Sequence, residues 1–325
     1  MKKRRLGKSG LEVSEIGLGC WQLGGDFGPI DDERASRILD AACTAGIDFW
    51  DTADVYGAGL SETRVAAAAH RHDGVIVATK VGRDADLYPD GYTKPRVRRN
   101  LEASARRLGV ETIDLAQLHC VPPKVLEAGE LLSWMEDFQD DGLIRQFGAS
   151  VETIDEALFA ARHPRLTSLQ IIFNVFRQDA LDRLFPVATE NDVGIIVRLP
   201  LASGVLAGKM RKDRRFDPSD HRHYNRHGES FSQGETFSGI PFETALQLVE
   251  EIRGWVPPGM SMAQMAMRWI LDYPAVTTVI AGASRPAQAI ENAAVSALPP
   301  LSPELHGRLA GFYRHDVRDR IRVPV

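Results

Sequence analysis

The fold of this chain can be inferred outward from residues 31–50, which read DDERASRILDAACTAGIDFW. Between Ala35 and Ala42 the apolar residues recur at spacings of three and four, which is typical of an amphipathic helix. Acidic residues precede this helix and Gly46 follows it, so both of its ends are marked. The apolar run 47–50 comes next and fits a short buried strand. A helix that leads into a buried strand is the repeating unit of a parallel α/β fold.

The same alternation extends along the chain in both directions. Eight short apolar segments are separated by stretches of helical period. The strand candidates are residues 14–18, 47–50, 75–79, 113–118, 144–149, 168–172, 194–197 and 278–280. Most of them lack polar and apolar alternation, as expected for strands that are covered on both faces. Eight such units predict a (β/α)8 TIM barrel.

Further segments extend this barrel. Residues 4–6 and 11–13 flank the turn 7–10, which predicts an N-terminal β-hairpin that could close the N-terminal end of the barrel. Two segments exceed ordinary loops, namely residues 209–239 after the seventh strand and the C-terminal tail after Pro299. Extra length after a barrel strand usually carries function. No linker divides the chain, so we interpret residues 1–325 as a single domain.

The composition is that of an ordinary globular protein, with 44% hydrophobic and 26% charged residues. The formal net charge is −5, from 39 basic and 44 acidic residues, so nucleic acid is not an expected partner. No stretch reaches the roughly 18 apolar residues of a membrane span, and no signal-peptide pattern is present. The three cysteines lie far apart, so the sequence indicates no disulfide framework, and a reducing cytoplasm is the expected compartment. The oligomeric state is left open.

Three consecutive predicted strands are followed by ionisable residues, at the end of the barrel where active sites lie. These residues are Asp51, Lys80 and His119, and Tyr56 lies shortly after Asp51. We expect Lys80 to lower the pKa of Tyr56 by stabilising its phenolate. Tyr56 would then act as a general acid on a carbonyl oxygen that neutral His119 polarises. A second enzyme class stays open, an aldolase in which Lys80 forms a Schiff base.

Several motifs closely resemble those of one enzyme family. Residues 49–57, FWDTADVYG, followed by SE at 61–62, resemble the signature of the aldo-keto reductases. ATK at 78–80 and QLH at 117–119 are similar to the lysine and histidine motifs of that family. The resemblance covers residues 6–292, nearly the whole chain.

This resemblance implies an oxidoreductase that transfers hydride between nicotinamide and a carbonyl or alcohol substrate, which is an aldehyde, a ketone or a sugar. Tyr56 is the implied general acid and base. The branches it resembles are bacterial-type enzymes close to the potassium-channel β-subunit-like proteins and the aldose dehydrogenases. The implied catalytic residues are Asp51, Tyr56, Lys80 and His119.

The resemblance also implies a cofactor site, with NADP(H) favoured and NAD(H) as the alternative. The implied cofactor-binding residues are Asp51, Ser150, Gln170, Arg198, Pro200, Leu201, Ser203, Gly204, Lys209, Gly282, Ser284, Arg285, Gln288, Glu291 and Asn292. The chain departs from the family pattern at several positions. Val151 stands where asparagine is frequent, and Arg198 stands where an aromatic residue commonly stacks on the nicotinamide. Gly282 and Gln288 replace basic residues, so Arg285 is the remaining cation.

A small-molecule carbonyl or alcohol is the expected partner. The expected substrate contacts are Trp21, which follows the first strand, together with Tyr56 and His119. A non-enzymatic role also stays open. Some family members, such as the potassium-channel β subunits, bind the cofactor and act as partners of other proteins.

The long segment 209–239 contains three histidines, which are His221, His223 and His227. Many arginines surround them and no carboxylate or cysteine pattern completes a ligand set, so we expect no metal site. A solvated loop is the simplest interpretation of this segment, and the alternative is a basic lid that closes over the cofactor pyrophosphate, with Lys209 as its anchor.

Overall fold

The computed structural model describes residues 1–325 and contains ten β-strands. They are β1 (Lys3–Arg5), β2 (Glu12–Ser14), β3 (Ile16–Gly19), β4 (Phe49–Asp51), β5 (Ile76–Val81), β6 (Ile113–His119), β7 (Ile144–Ser150), β8 (Ser168–Ile172), β9 (Gly194–Arg198) and β10 (Val276–Gly282). Strands β3 to β10 form a closed barrel of parallel neighbours in which β10 pairs with β3. The predicted (β/α)8 TIM barrel is confirmed.

Helices follow the barrel strands and cover the outside of the barrel. They are α1 (Asp32–Thr44), α2 (Leu60–Ala69), α3 (Lys94–Leu108), α4 (Pro123–Glu127), α5 (Glu130–Asp140), α6 (Ile154–Ala161), α7 (Ala180–Glu190), α8 (His221–Tyr224), α9 (Phe242–Arg253), α10 (Met262–Leu271), α11 (Pro286–Ala293) and α12 (Pro303–Phe312). In α1 the Asp31 carboxylate accepts a hydrogen bond from the backbone N–H of Arg34 at 2.7 Å, which caps the helix. The apolar face from Ala35 to Ala42 is buried, as its spacing predicts.

The predicted hairpin lies at the N-terminal end of the barrel. Strands β1 and β2 are antiparallel, with Lys3 opposite Ser14. Leu6 and Val13 pack with residues inside the barrel, including Phe49, in a small buried cluster. The hairpin therefore closes that end with apolar side chains.

Polar residues extend the barrel strands beyond their apolar runs. Asp51, His119, Ser150 and Arg198 are the last residues of β4, β6, β7 and β9, whereas the sequence placed them just after the strands. All four are buried. Polar side chains at this end therefore stand on the rigid barrel itself rather than on loops.

Both predicted extensions are present, one after the seventh barrel strand and the other at the C-terminus. The chain between β9 and α9 contains α8 and the short 3-10 helices Ala202–Ala207, Gln233–Glu235 and Phe237–Gly239. The C-terminal tail contains α12 and then folds against this segment, because Arg322 N donates to Gly239 O at 3.0 Å. None of the helices combines the length and apolar character needed to cross a membrane.

Candidate active site

The four predicted catalytic side chains meet at the C-terminal end of the barrel. The Nζ of Lys80 donates to Asp51 Oδ1 at 2.5 Å and to the hydroxyl of Tyr56 at 3.2 Å. The rings of Tyr56 and His119 meet edge to face, with centroids 5.9 Å apart. The structure thus brings the predicted tetrad together.

Two glutamines hold the other oxygen of Asp51. Its Oδ2 accepts hydrogen bonds from Gln117 Nε2 at 2.9 Å and from Gln170 Nε2 at 2.7 Å. Gln170 Nε2 also lies 3.2 Å from Gln117 Oε1, so its amino group is committed to this network. Ser150 Oγ lies 3.5 Å from Gln170 Oε1. The Ser150 hydroxyl donates this long hydrogen bond, which is weaker than those to Asp51, so Ser150 Oγ and Gln170 Oε1 are the groups most available to a ligand.

The pKa of Tyr56 differs from the sequence expectation. Burial raises the pKa of Tyr56 to about 12, and the ammonium of Lys80 offsets only part of that rise. The effect of Lys80 has the predicted direction, but burial outweighs it, so the pKa of Tyr56 is raised and not lowered overall. The sequence identifies the neighbouring charge but not the loss of hydration around the phenol. Tyr56 stays protonated at neutral pH, which is the form a proton donor requires.

Lys80 and His119 have opposite charge states. Burial disfavours the ammonium of Lys80, but its interactions with the carboxylate of Asp51 and with Tyr56 together outweigh this effect and hold the pKa of Lys80 above its usual range. Burial lowers the pKa of His119 well below its usual range, and the cations Lys80, Arg83 and Arg198 lower it further. Lys80 is therefore charged at neutral pH, and His119 is neutral, as predicted.

A cleft of about 780 Å³ opens over the tetrad and is large enough for a small-molecule ligand. Aromatic side chains form one wall of it. The ring of Trp21 stacks on Tyr56 at a centroid distance of 5.8 Å and lies 5.9 Å from the ring of Phe231. His221 is buried and packs on Trp21, with ring centroids 4.4 Å apart. Trp21, Tyr56 and His119 thus line one cleft.

The loop after β9 has a strained backbone. Leu199, Ala202 and Ser203 adopt left-handed φ values of +53°, +47° and +55°, which are uncommon for residues with a side chain. The hydroxyl of Ser203 donates to Glu235 O at 3.1 Å and accepts from Phe237 N at 3.0 Å. Both hydrogen bonds of the Ser203 hydroxyl are therefore made with the long segment 209–239. The cleft is also lined by Pro200, Leu201, Gly204 and Lys209.

Arg198 is held from two sides. Its Nη1 lies 2.5 Å from Glu235 Oε1, and its Nη2 donates to Val151 O at 2.9 Å. Val151, which stands where asparagine is frequent, therefore takes part in the site through its carbonyl. The long segment contacts the β9 loop through Glu235, and also through Arg222, whose Nη1 donates to Ser203 O at 3.2 Å. The predicted anchor Lys209 is exposed and forms no ion pair.

At the far end of the cleft, Gln22 covers Gly282. A Cβ atom on Gly282 would lie 1.8 Å from Gln22 Nε2, so the amide fills the place of a side chain at that position. Gln22 Oε1 is buried and has no hydrogen-bond partner. The backbone N–H and the hydroxyl of Ser284 both donate to Gln288 Oε1 at 2.9 Å.

Arg285 is a half-exposed cation beside this end of the cleft, although it does not line the cleft itself. Its Nη2 lies 3.6 Å from Glu291 Oε1, a loose contact that leaves the guanidinium accessible. Asn292 Nδ2 donates to Gly282 O at 3.3 Å, which ties α11 to the end of β10. The residues predicted for this end of the cofactor are therefore gathered around the start of α11.

Three charged residues and one amide of the site have no counterpart in the sequence prediction. They are Arg83, Glu152, Glu235 and Gln22. Gln22 directly follows Trp21, which is the one signal that could have found it. The other three carry no motif that singles them out.

The potential metal ligands that the structure gathers are not the three histidines of the long segment. Three other side chains, Cys120, Glu152 and Glu235, place potential ligand atoms within 4.8 Å of one another. Both carboxylates already pair with arginines, which disfavours a cation there.

Comparison with known proteins places these features in context. Residues 15–314 match the model of the Aldo/keto reductase family. The chain is 30% identical to the uncharacterized oxidoreductase YqkF of Bacillus subtilis (strain 168), over 98% of each protein. It is 28% identical to a probable voltage-gated potassium channel subunit beta of Oryza sativa subsp. japonica, over 94% of each. The solved structure of the glycerol dehydrogenase AKR11B4 from Gluconobacter oxydans is similar, with a TM-score of 0.78 and 27% identity over 99% of this chain and 97% of that one.

Proposed function

Because the chain belongs to the aldo/keto reductase family, we propose that it catalyses the NADP(H)-dependent reduction of aldehydes, ketones or sugars and the reverse oxidation of the corresponding alcohols. The observation that carries this proposal is the contact of Lys80 Nζ with the Tyr56 hydroxyl at 3.2 Å, inside a cleft that His119 also lines. A protonated phenol beside a fixed ammonium and a neutral imidazole suits proton donation to a carbonyl oxygen.

The proton movement follows from these charge states. Tyr56 donates its proton to the substrate oxygen, and Lys80 stabilises the phenolate that forms. Neutral His119 directs the same oxygen toward Tyr56. Asp51 keeps Lys80 charged and in place. In the oxidation direction the phenolate of Tyr56 takes the proton back.

The residues of the cleft fit a dinucleotide. Ser150 and Gln170 offer a hydroxyl and a carbonyl oxygen for a carboxamide, and Arg198 presents a guanidinium plane that can stack on a ring. Ser284, Arg285 and the start of α11 suit a phosphate at the other end. When bound there, nicotinamide supplies or accepts the hydride. The single cation Arg285 favours NADP(H) over NAD(H).

The test is to follow nicotinamide absorbance with NADPH and with NADH across aldehydes, ketones, sugars and their alcohols. We expect turnover with NADPH, and weaker turnover with NADH. Binding of NADPH without turnover of any carbonyl would instead support a cofactor-binding partner protein, the alternative that the similarity to a channel subunit keeps in view.

The aldolase alternative is disfavoured by the state of Lys80. A Schiff base requires a neutral amine, and the Asp51 carboxylate keeps this amine protonated. Borohydride treatment with a carbonyl ligand should leave Lys80 unmodified. A covalent adduct on Lys80 would overturn the reductase proposal.

Two further features support a single domain and a reducing compartment. All eight barrel strands close one sheet, which favours one domain over residues 1–325. The thiols of Cys20, Cys43 and Cys120 are free, which suits the reducing cytoplasm that we propose as the compartment.

A further inference from the structure

Two ion pairs lie side by side next to His119 at the mouth of the barrel. Arg83 Nη2 lies 2.6 Å from Glu152 Oε1, and Arg198 Nη1 lies 2.5 Å from Glu235 Oε1. The two carboxylates approach each other, since each offers an oxygen within 4.8 Å of the other and of the Cys120 thiol. Four charged side chains thus form one compact cluster, which we call the charged wall.

The charged wall is assembled from separate parts of the fold. Arg83 and Glu152 follow β5 and β7, Arg198 ends β9, and Glu235 comes from the long segment. Their side chains are only 17%, 28%, 8% and 12% exposed, respectively. Burying ion pairs seldom stabilises a fold relative to apolar packing, because both partners lose hydration. A role in binding explains the charged wall better than a role in stability.

The charged wall has hydrogen-bonding capacity that the protein itself does not use. The Nε atoms of Arg83 and Arg198 are buried and have no hydrogen-bond partner. Buried donors of this kind are rare in proteins and are normally satisfied by a ligand or by water. Arg83, Arg198 and Glu235 line the same cleft as Tyr56 and His119.

Charge balance indicates which ligand chemistry fits. Each of the two guanidinium groups is already paired with a carboxylate, so the charged wall has no net charge to attract an anionic substrate, and the carboxylate of Glu235 lines the cleft beside them. A hydroxyl group is both donor and acceptor. It can donate to a carboxylate oxygen and accept from an arginine N–H at the same time. The aromatic wall of Trp21 and Phe231 suits the C–H face of the same molecule.

We propose that Arg83 and Glu235, with Arg198 holding Glu235 in place, form a hydroxyl-binding subsite, which selects carbonyl substrates that carry hydroxyl groups on the carbons beside the carbonyl. This inference rests on the proposed function, since it assigns the substrate class of that same site. Glu152 acts as a positioning residue that fixes Arg83.

The test compares glyceraldehyde with propanal, which has the same carbon chain without the two hydroxyl groups. The value of kcat/KM is measured with NADPH and expressed per concentration of unhydrated aldehyde. Sites built to bind a substrate hydroxyl strongly reject the analogue that lacks it, because buried polar groups are then left unpaired. We expect glyceraldehyde to be preferred by roughly 100-fold or more.

Variants assign the preference to the charged wall. Glu235→Gln keeps the shape of the side chain and removes its charge, and Arg83→Met tests the other ion pair independently of the long segment. In each variant the ratio of the two kcat/KM values should fall at least about tenfold. The matched control is Asp140→Asn, which breaks an exposed ion pair with Arg165 outside the cleft and should keep the wild-type ratio. If Glu235→Gln does not fold, Arg83→Met carries the test.

The outcomes separate this inference from the proposed function. Turnover of both aldehydes with a ratio near one would overturn the subsite and leave the reductase intact. An unchanged ratio in Arg83→Met and Glu235→Gln would also overturn the subsite. No turnover of any carbonyl by the wild type would instead contradict the proposed function itself.

Discussion

Asp51 Oδ1 lies 2.5 Å from the Nζ of Lys80, and the two side chains are 2% and 0% exposed. The pair lies beneath Tyr56, which Lys80 also contacts. Because the ammonium has no access to bulk water, its charge depends on Asp51. Asp51, which two glutamines hold in place, thus provides the counter-charge of Lys80, and Thr52 O accepts a further hydrogen bond from Nζ at 2.8 Å.

Replacement of this carboxylate should therefore affect both stability and catalysis. Asp51→Asn leaves a buried ammonium without a counter-charge, so we expect a loss of roughly 3–5 kcal/mol in the free energy of unfolding. Urea denaturation measures it. The control is Asp137→Asn, which breaks the exposed pair with Lys94 and should cost less than about 1 kcal/mol. Equal small losses in both variants would show that Lys80 does not depend on Asp51.

The pH profile of turnover should follow the charge states of Tyr56 and His119. Reduction needs the phenol and the neutral imidazole, and the pKa of Tyr56 is about 12 while that of His119 is well below its usual range. We expect kcat/KM for reduction to stay flat between about pH 6 and pH 9, and kcat/KM for alcohol oxidation to rise with pH over that range. An acid limb centred near the ordinary histidine pKa would contradict the assignment of His119.

Asp54 should make stability depend on pH. Its Oδ1 accepts from Val55 N at 2.8 Å, its Oδ2 has no partner, and burial beside Glu62 raises the pKa of Asp54 to about 7. The folded state then binds more protons than the unfolded state between about pH 4 and pH 7, so stability falls as pH rises through that window.

Asp54→Asn removes this dependence. The difference in unfolding free energy between Asp54→Asn and the wild type should grow in favour of the variant, by up to about 4 kcal/mol, between pH 4 and pH 8. Denaturant titrations at several pH values measure the difference. A difference that is constant across pH would show that Asp54 does not titrate in this window.

Cofactor preference should depend on Arg285. Removing its guanidinium takes away the cation available to a 2′-phosphate, so Arg285→Ala should weaken NADPH binding by about tenfold and NADH binding much less. Tryptophan fluorescence titration gives both Kd values. Arg314→Ala, at an exposed arginine outside the cleft, should change neither. An equal loss of affinity for both cofactors in Arg285→Ala would show that Arg285 does not determine the preference for NADPH.

Part of the site could be predicted from the sequence because its signal is local. Apolar segments identify the eight strands, and the residues that end them, such as Asp51 and His119, identify the site. The charged wall gives no such signal, because Glu235 comes from a segment without periodicity and meets Arg198 only in the folded chain. The covering of Gly282 by Gln22 is invisible for the same reason. The pKa of Tyr56 depends on burial, which only the packed cleft defines.

The most direct test of the central claim is turnover of Tyr56→Phe, measured by nicotinamide absorbance beside the wild type and beside Tyr88→Phe, which changes an exposed tyrosine at the edge of the same cleft. Cofactor Kd values are measured in parallel. We predict that Tyr56→Phe loses roughly 100- to 10,000-fold in kcat and keeps its affinity for NADPH. The control Tyr88→Phe should not show this loss in kcat. Turnover by Tyr56→Phe at the wild-type rate would contradict the account.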